Sequence, residues 1–159
     1  MNKYKLFLVA LIVLFIDRLI KYFVMSNLIL LESIEIIKNF FNITYIKNDG
    51  IAFNMLSGNR IIILIFTIIF VYLFYLMFIK GKKLTEFNRI IYGMLFGGIL
   101  GNLLDRIVFK SVIDYLDFRL FNFSFPVFNF ADTMIVISIF FIFIEVIRGE
   151  EYANDSRRK

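Results

Sequence analysis

Two aspartates, Asp114 and Asp132, flank one short segment, and each falls where a long apolar run meets water, in a 159-residue chain with no histidine and no cysteine. Two carboxylates facing each other at a membrane surface can activate water without metal, imidazole or thiol. They cannot both ionise comfortably, so they share a proton; one takes a proton from water while the other donates to a carbonyl. The pair, rather than either residue, then owns the apparent pKa values. Without histidine or cysteine, the usual zinc sites, HExxH metalloproteases, Ser-His-Asp triads and thiol chemistry are excluded. A serine–lysine dyad finds no obvious pair beside the aspartates.

The elements that must position this pair follow from composition. At 60% hydrophobic residues, one proline and a mean hydropathy of +0.82, the chain lies outside the range of soluble domains and reads as an integral membrane protein. Four apolar runs, near 4–25, 61–79, 90–108 and 131–147, are each long enough to cross a hydrocarbon core of about 30 Å as a helix. The first begins beside Lys3 and Lys5 but lacks a small-residue cleavage site, so it reads as an uncleaved span. The spans and two outer loops account for residues 1–159 as one membrane-embedded domain, and the polar tail 149–159 is expected to fray.

Basic residues orient the spans, because lysine and arginine stay on the cytoplasmic side of short loops. Ten of the eighteen (Lys3, Lys5, Lys80, Lys82, Lys83, Arg89, Arg148, Arg157, Arg158 and Lys159) would share one side, while Lys38, Lys47, Arg60, Lys110 and Arg119 occupy the other. Both termini are therefore expected on the cytoplasmic side. The net charge of +5 reflects this bias and contact with anionic lipid, and gives no argument for nucleic acid. Of seven aspartates only Asp155 falls inside. The outer face therefore holds any chemistry.

Charges within a span cost roughly 2.5–3.5 kcal/mol each on insertion scales, so Asp17, Arg18, Lys21, Asp105 and Arg106 are expected to face protein or water. Asp17 and Lys21 share one helix face, as do Asn102, Asp105 and Arg106. The plainer alternative is interfacial ion pairs, with Arg18 and Lys21 snorkelling outward. Gly93, Gly97 and Gly101, with Gly98 beside them, have the spacing that lets helices approach closely in lipid. In the first outer loop, 41–47 is strand-like, Asn48-Asp49-Gly50 signals a turn and 51–56 can return as a second strand, giving a small β-hairpin. Segment 28–37 suits the membrane interface, and Phe121, Phe123 and Phe125 form an aromatic outer loop. The expected fold is thus all-α, with four transmembrane helices, an extracellular β-hairpin or cradle and the aromatic loop.

These features alone leave room for a small proton-coupled exporter or a structural membrane protein. Asp17 lies toward the outer end of its span, the loops exceed what a minimal exporter needs, and a purely structural role leaves the aspartate cluster unexplained. Five fragments narrow the choice: Asp17-Arg18-Leu19-Ile20-Lys21, Asn48-Asp49-Gly50-Ile51-Ala52-Phe53, Gly101-Asn102-Leu103-Leu104-Asp105-Arg106, Val112-Ile113-Asp114-Tyr115 and Phe128-Asn129-Phe130-Ala131-Asp132. In this order they resemble the five motifs of lipoprotein signal peptidase (signal peptidase II), a family of bacterial membrane aspartic proteases, over essentially the whole chain.

The resemblance implies a catalytic pair of Asp114 and Asp132, with Asp17, Lys21, Asn48, Gly50, Asn102, Asp105, Arg106, Asn129 and Ala131 in supporting or substrate-contacting positions. It implies a diacylglyceryl-modified prolipoprotein as substrate, cut just before the lipidated cysteine, with no metal or cofactor, inhibition by globomycin-type peptides and action as a monomer within membrane lipid. The departures are local. The family commonly has glutamine at Arg18, a small residue such as glycine near Ser111, and serine at Thr133.

Overall fold

The computed structural model describes residues 4–50, 59–120 and 123–156, with the side chains of 60, 123–124 and 150–156 left aside. Its elements run α1 (Lys5–Asn27), β1 (Ser33–Ile37), β2 (Phe41–Asn48), α2 (Arg60–Phe74, continued by a π-helical turn over Tyr75–Ile79), α3 (Glu86–Val108), β3 (Val112–Leu120), β4 (Phe123–Ser124) and α4 (Phe130–Ser156). The segments Ile61–Ile79, Glu86–Val108 and Phe130–Gly149 are each long and apolar enough to cross a membrane, making this a multi-pass membrane protein. Helix α1 has 23 residues, about 35 Å of rise, but carries Asp17, Arg18 and Lys21 in its C-terminal half.

Burial in α1 inverts the soluble pattern. Ala10, Val13, Asp17, Lys21 and Val24 form its buried stripe at helical spacing, while Phe7, Leu11, Phe15 and Tyr22 are exposed. Asp17 and Lys21 are 0% exposed and Phe15 is 66% exposed, so charge faces protein and the aromatic face turns outward. That arrangement excludes outward snorkelling of Lys21.

Helix α3 is the central element. Its start is fixed by a capping box: Thr85 Oγ1 accepts from the Asn88 N–H at 3.0 Å, and Asn88 Oδ1 accepts from the Thr85 N–H at 2.9 Å. Its glycines make the close approaches. A Cβ at Gly97 would stand 2.7 Å from the Ala10 carbonyl oxygen, at Gly98 2.6 Å from the Ala131 carbonyl oxygen, and at Gly101 2.6 Å from Asp17 Oδ2. Gly93, Gly97 and Gly101 thus seat α1, and Gly98 seats α4. Helix α2 is anchored by Phe74, whose ring meets Tyr92 and Phe96 edge-on at 5.2 and 5.6 Å. A buried cluster of Phe74, Ile91, Tyr92, Leu95, Ile99 and Ile142 completes this core.

The segments between α1 and α2 and between α3 and α4 form one antiparallel sheet of order β1-β2-β3-β4. Strand β2 pairs with β1 before it and with β3 far along the chain, with Ile46 opposite Asp114. The expected turn does form, since Asn48 Oδ1 accepts from the Gly50 N–H at 3.0 Å, but the expected return strand 51–56 lies outside the described residues. Segment 28–37, expected to lie along the interface, contributes edge strand β1, all five residues exposed. In the aromatic loop, β4 adds a short pairing to β3, while Phe121 is outside the described residues. Val24, Leu28, Tyr45, Ile113 and Tyr115 weld the sheet to the end of α1. The tail expected to fray continues α4 as helix to Ser156.

The glycine stripe makes a direct prediction. Gly97→Ala pushes a methyl into α1 backbone and should cost about 1–3 kcal/mol, read as a lower melting temperature in detergent. Gly149→Ala, where nothing lies within 4 Å of the added carbon, should leave the melting temperature unchanged or slightly raised. Equal effects at both positions would refute the close α1–α3 contact.

Candidate active site

Strand β3 and the start of α4 are tied directly together. The Tyr115 and Leu116 N–H groups both donate to the Phe128 carbonyl, at 3.0 and 2.7 Å, and the Phe128 N–H returns to Leu116 O at 3.1 Å. The Phe130 N–H, an unpaired donor of the first helical turn, finds the Tyr115 hydroxyl oxygen at 3.1 Å. Asn129 caps α4 reciprocally with Asp132: its Oδ1 accepts from the Asp132 N–H at 2.9 Å, and Asp132 Oδ2 accepts from its backbone N–H at 3.2 Å. These bonds bring Asp114 of β3 and Asp132 of α4 to one chamber.

Each carboxylate oxygen of the pair accepts an N–H. Asp114 Oδ1 accepts from Asn129 Nδ2 at 2.7 Å and its Oδ2 from Asn48 Nδ2 at 3.0 Å. Asp132 Oδ1 accepts from Asn102 Nδ2 at 2.7 Å. The amide orientations are dictated by groups that can only donate. Lys21 Nζ points at Asn102 Oδ1 at 3.2 Å, so the Asn102 amide nitrogen must face Asp132. Likewise the Asp132 N–H holds Asn129 Oδ1, and the Gly50 N–H holds Asn48 Oδ1. Asn129 Nδ2 also donates to Asn102 Oδ1 at 3.2 Å, closing the network.

Beneath it lies a buried charge cluster. Asp17 and Asp105, both fully buried, share Arg18 and Lys21. Arg18 reaches each carboxylate at 2.7 Å, and Lys21 reaches Asp105 at 2.7 Å and Asp17 at 3.1 Å. Asp105 Oδ2 also accepts from the Ile113 N–H at 3.2 Å, one residue before Asp114. Arg106 donates to the Gly50 carbonyl at 3.2 Å and so ties α3 to the Asn48–Gly50 turn. Ala131 is fully buried and packs on Gly98 and Gly101. Every residue expected at the site is therefore gathered in or under it.

The chamber holds about 400 Å³ and is lined by Asn48, Asn102, Arg106, Asp114, Asp132 and Phe128 among others. An adjoining apolar space of about 460 Å³, between α2 and α4, shares Thr67, Ile99 and Ile135 with it. Burial, and secondly the charge of Asp132, push the Asp114 carboxyl up from 3.8 to about 6, against the amides of Asn48 and Asn129 and the charge of Lys21. Burial also raises the Tyr115 phenol, leaving it a neutral partner for Phe130. A carboxyl held partly protonated near neutrality beside a second carboxylate is what acid–base attack by water on an amide requires.

Sequence reasoning missed two contributors. For Arg18 the sequence left facing protein and snorkelling outward both open and gave it no place in the site, yet its guanidinium closes the charge cluster. Tyr115 received no role, although its place beside Asp114 put its hydroxyl within reach of α4.

The raised Asp114 pKa gives a signed prediction. The folded state binds this proton more tightly than the unfolded chain, so its contribution to stability is full below 3.8 and is lost as pH rises through about 6. Asp114→Asn, permanently neutral, should melt above wild type at pH 8, with the gap closing toward pH 4. A gap independent of pH would contradict the burial of an ionisable Asp114.

The family model described as signal peptidase (SPase) II matches residues 9–148. A lipoprotein signal peptidase from Halothermothrix orenii is 41% identical over 133 residues, 82% of this chain and 87% of the relative. One from Staphylococcus haemolyticus is 36% identical over 141 residues, 89% of both chains. A solved bacterial membrane enzyme superposes with a TM-score of 0.81 at 34% identity, covering 90% of this chain and 87% of that one. The chain belongs to the signal peptidase II family.

Proposed function

We propose that Asp114 and Asp132 are the catalytic pair of this peptidase. As a member of its family the chain is a membrane aspartic endopeptidase, and the reaction is removal of signal peptides from prolipoproteins. The observation that carries the assignment is the shared chamber, in which both carboxylates are held by amide N–H donors.

The pair starts with one shared proton. The ionised carboxylate takes a proton from water as its oxygen attacks the scissile carbonyl carbon, and the protonated partner donates to the carbonyl oxygen. The tetrahedral diol then collapses: the proton gained from water passes to the leaving nitrogen, the C–N bond breaks, and a diol hydroxyl returns its proton to the other carboxylate. Water is consumed and the pair ends in its starting protonation state. No cofactor enters this cycle. Asn48, Asn102 and Asn129 orient the carboxylates, while Arg106 and Gly50 contribute to the wall that meets the peptide. Asp17, Lys21, Asp105 and Ala131 support the pair from below.

In this reading residues 1–159 act as one membrane-embedded unit, and α1 is the fourth span, its charges turned inward and its aromatic face outward. The pairing of Lys5 with Glu86 supports a common side for the starts of α1 and α3, and the basic-residue bias supports that side as cytoplasmic. The pair then lies at the outer face of the cell membrane. The substrate is a prolipoprotein carrying a diacylglyceryl cysteine, cut just before that cysteine, and the enzyme acts as a monomer blocked by globomycin-type peptides. The joined polar and apolar spaces suit a substrate with a peptide part and a lipid part.

Purified protein incubated with a diacylated prolipoprotein should produce a globomycin-sensitive mobility shift. Asp114→Asn and Asp132→Asn should each abolish it, and the double variant should be no worse than either, because the two groups act as a unit. Normal cleavage by either single variant would overturn the aspartic assignment. For topology, Lys38→Cys should react with an impermeant thiol reagent in intact cells and Lys82→Cys should not. The reverse pattern would place the site on the cytoplasmic side.

A further inference from the structure

Arg18 is the one charged member of the site with no role in the reaction as written. Its fork donates from Nη1 to Asp105 Oδ1 at 2.7 Å, and from Nη2 to Asp17 Oδ2 at 2.7 Å and the Gly101 carbonyl at 3.0 Å. Three points on two helices are held by one planar group. A lysine, a single point charge, cannot reproduce that geometry.

Two routes lead from this fork to the aspartates. In the first, Arg18 holds one oxygen of Asp105 while the other accepts from the Ile113 N–H, so the strand position next to Asp114 is braced from α1. In the second, Lys21 contacts both Asp17 and Asp105 but also donates to Asn102, whose amide reaches Asp132. Charge balance links the two. With Arg18 present, two carboxylates face two cations; without it, one ammonium faces two buried carboxylates and is drawn between them, away from Asn102.

We propose that Arg18 is a positioning residue for the aspartate pair: it neutralises half of the Asp17–Asp105 charge and so leaves Lys21 free to hold Asn102 against Asp132. The inference rests on Asp114 and Asp132 being the catalytic pair. The other charged or titratable groups around the pair are Lys21 on α1, Asp105 and Arg106 on α3, and Tyr115 on β3, while β2 and the start of α4 face it with Asn48 and Asn129. Arg18 thus decides whether the cluster below the pair is neutral or carries one net negative charge.

The test compares wild type, R18Q and R18K on the lipidated substrate, with D114N and D132N in parallel, measuring kcat, KM, the pH profile of kcat/KM and the melting temperature. R18Q should lower kcat about tenfold, a loss in keeping with a sub-ångström misplacement of a reacting group. KM should stay within about twofold, since the peptide wall is untouched. The acid limb should move to higher pH, because one uncompensated negative charge beneath the pair favours its protonated form. R18K should restore the limb, because the charge returns, but only part of kcat, because the fork does not. An unmoved limb in R18Q, with activity falling only as far as the melting temperature predicts, would make Arg18 a structural residue and overturn the proposal. If R18Q does not fold, R18K decides alone: a wild-type limb with reduced kcat supports the proposal, and a shifted limb or wild-type kcat overturns it. Activity in D114N or D132N would instead strike the catalytic assignment, and this inference with it.

Discussion

Four charges gathered between α1 and α3, three of them fully buried, set the terms for the rest of the molecule. Asp17, Arg18, Lys21 and Asp105 would each be costly in a bilayer, and together they form a closed lattice of contacts between 2.7 and 3.1 Å. Such a lattice is poor evidence for stability in itself, since desolvation offsets much of the attraction. Its stronger consequence is register. Sliding or rotating α1 on α3 by one residue would leave buried charges unpaired, so only one relative placement is tolerable. That placement requires Gly101, because Asp17 Oδ2 lies 2.6 Å from where a Cβ would stand. The small-residue stripe and the charge cluster are thus two halves of one constraint.

From that register the polar network above follows by hydrogen-bond direction. Lys21 has no lone pair, so it fixes which end of Asn102 faces Asp132; backbone N–H groups do the same for Asn129 and Asn48. Neutral amides are the donors that suit a working pair. A lysine or arginine bonded directly to Asp114 would stabilise its charged form and draw its pKa down, whereas amides hold the geometry and leave burial and Asp132 to keep it near 6. The cations act at one remove, beneath the asparagines.

Much of this was legible in the sequence, for reasons that differ by element. The spans show as uninterrupted apolar runs, the glycines as a four-residue repeat, and Asp114 and Asp132 as acids at span boundaries in a chain without histidine or cysteine. The pairing of β2 with β3 was not legible, because the turn at Asn48–Gly50 is a local signal while this pairing joins Asn48 to Val112 across the whole of α2 and α3. Nothing local announces a contact of that separation. Strand β1 within segment 28–37 was not legible for a related cause: an edge strand with exposed Ile34, Ile36 and Ile37 has the same composition as any segment lying on the interface. The partners of Arg18 were not legible because helical spacing predicts faces from Cβ directions, and a long side chain one residue from Asp17 can bend back to the face its Cβ leaves.

The position of α2 bears on how such a site meets a lipid-bearing substrate. Phe74 locks the C-terminal end of α2 onto Tyr92 and Phe96, while the α2 residues Ile63, Phe66, Thr67 and Phe70 line the apolar space that adjoins the chamber. The opposite wall comes from Ile135 and Ile139 on α4 and the floor from Ile99 on α3. At the other end of the chamber stand Asn48, Gly50 and Arg106, beside the sheet. Polar and apolar approaches therefore reach the same two carboxylates from different sides. Under the proposed topology, water arrives past the sheet from the outer surface, and a lipidated chain arrives between α2 and α4 from the bilayer. An aspartic pair needs both at once, and a carboxyl recessed enough to hold its proton near neutrality must still admit a water molecule. Seating Asp114 on a strand at the chamber wall, rather than deep within a span, meets both demands.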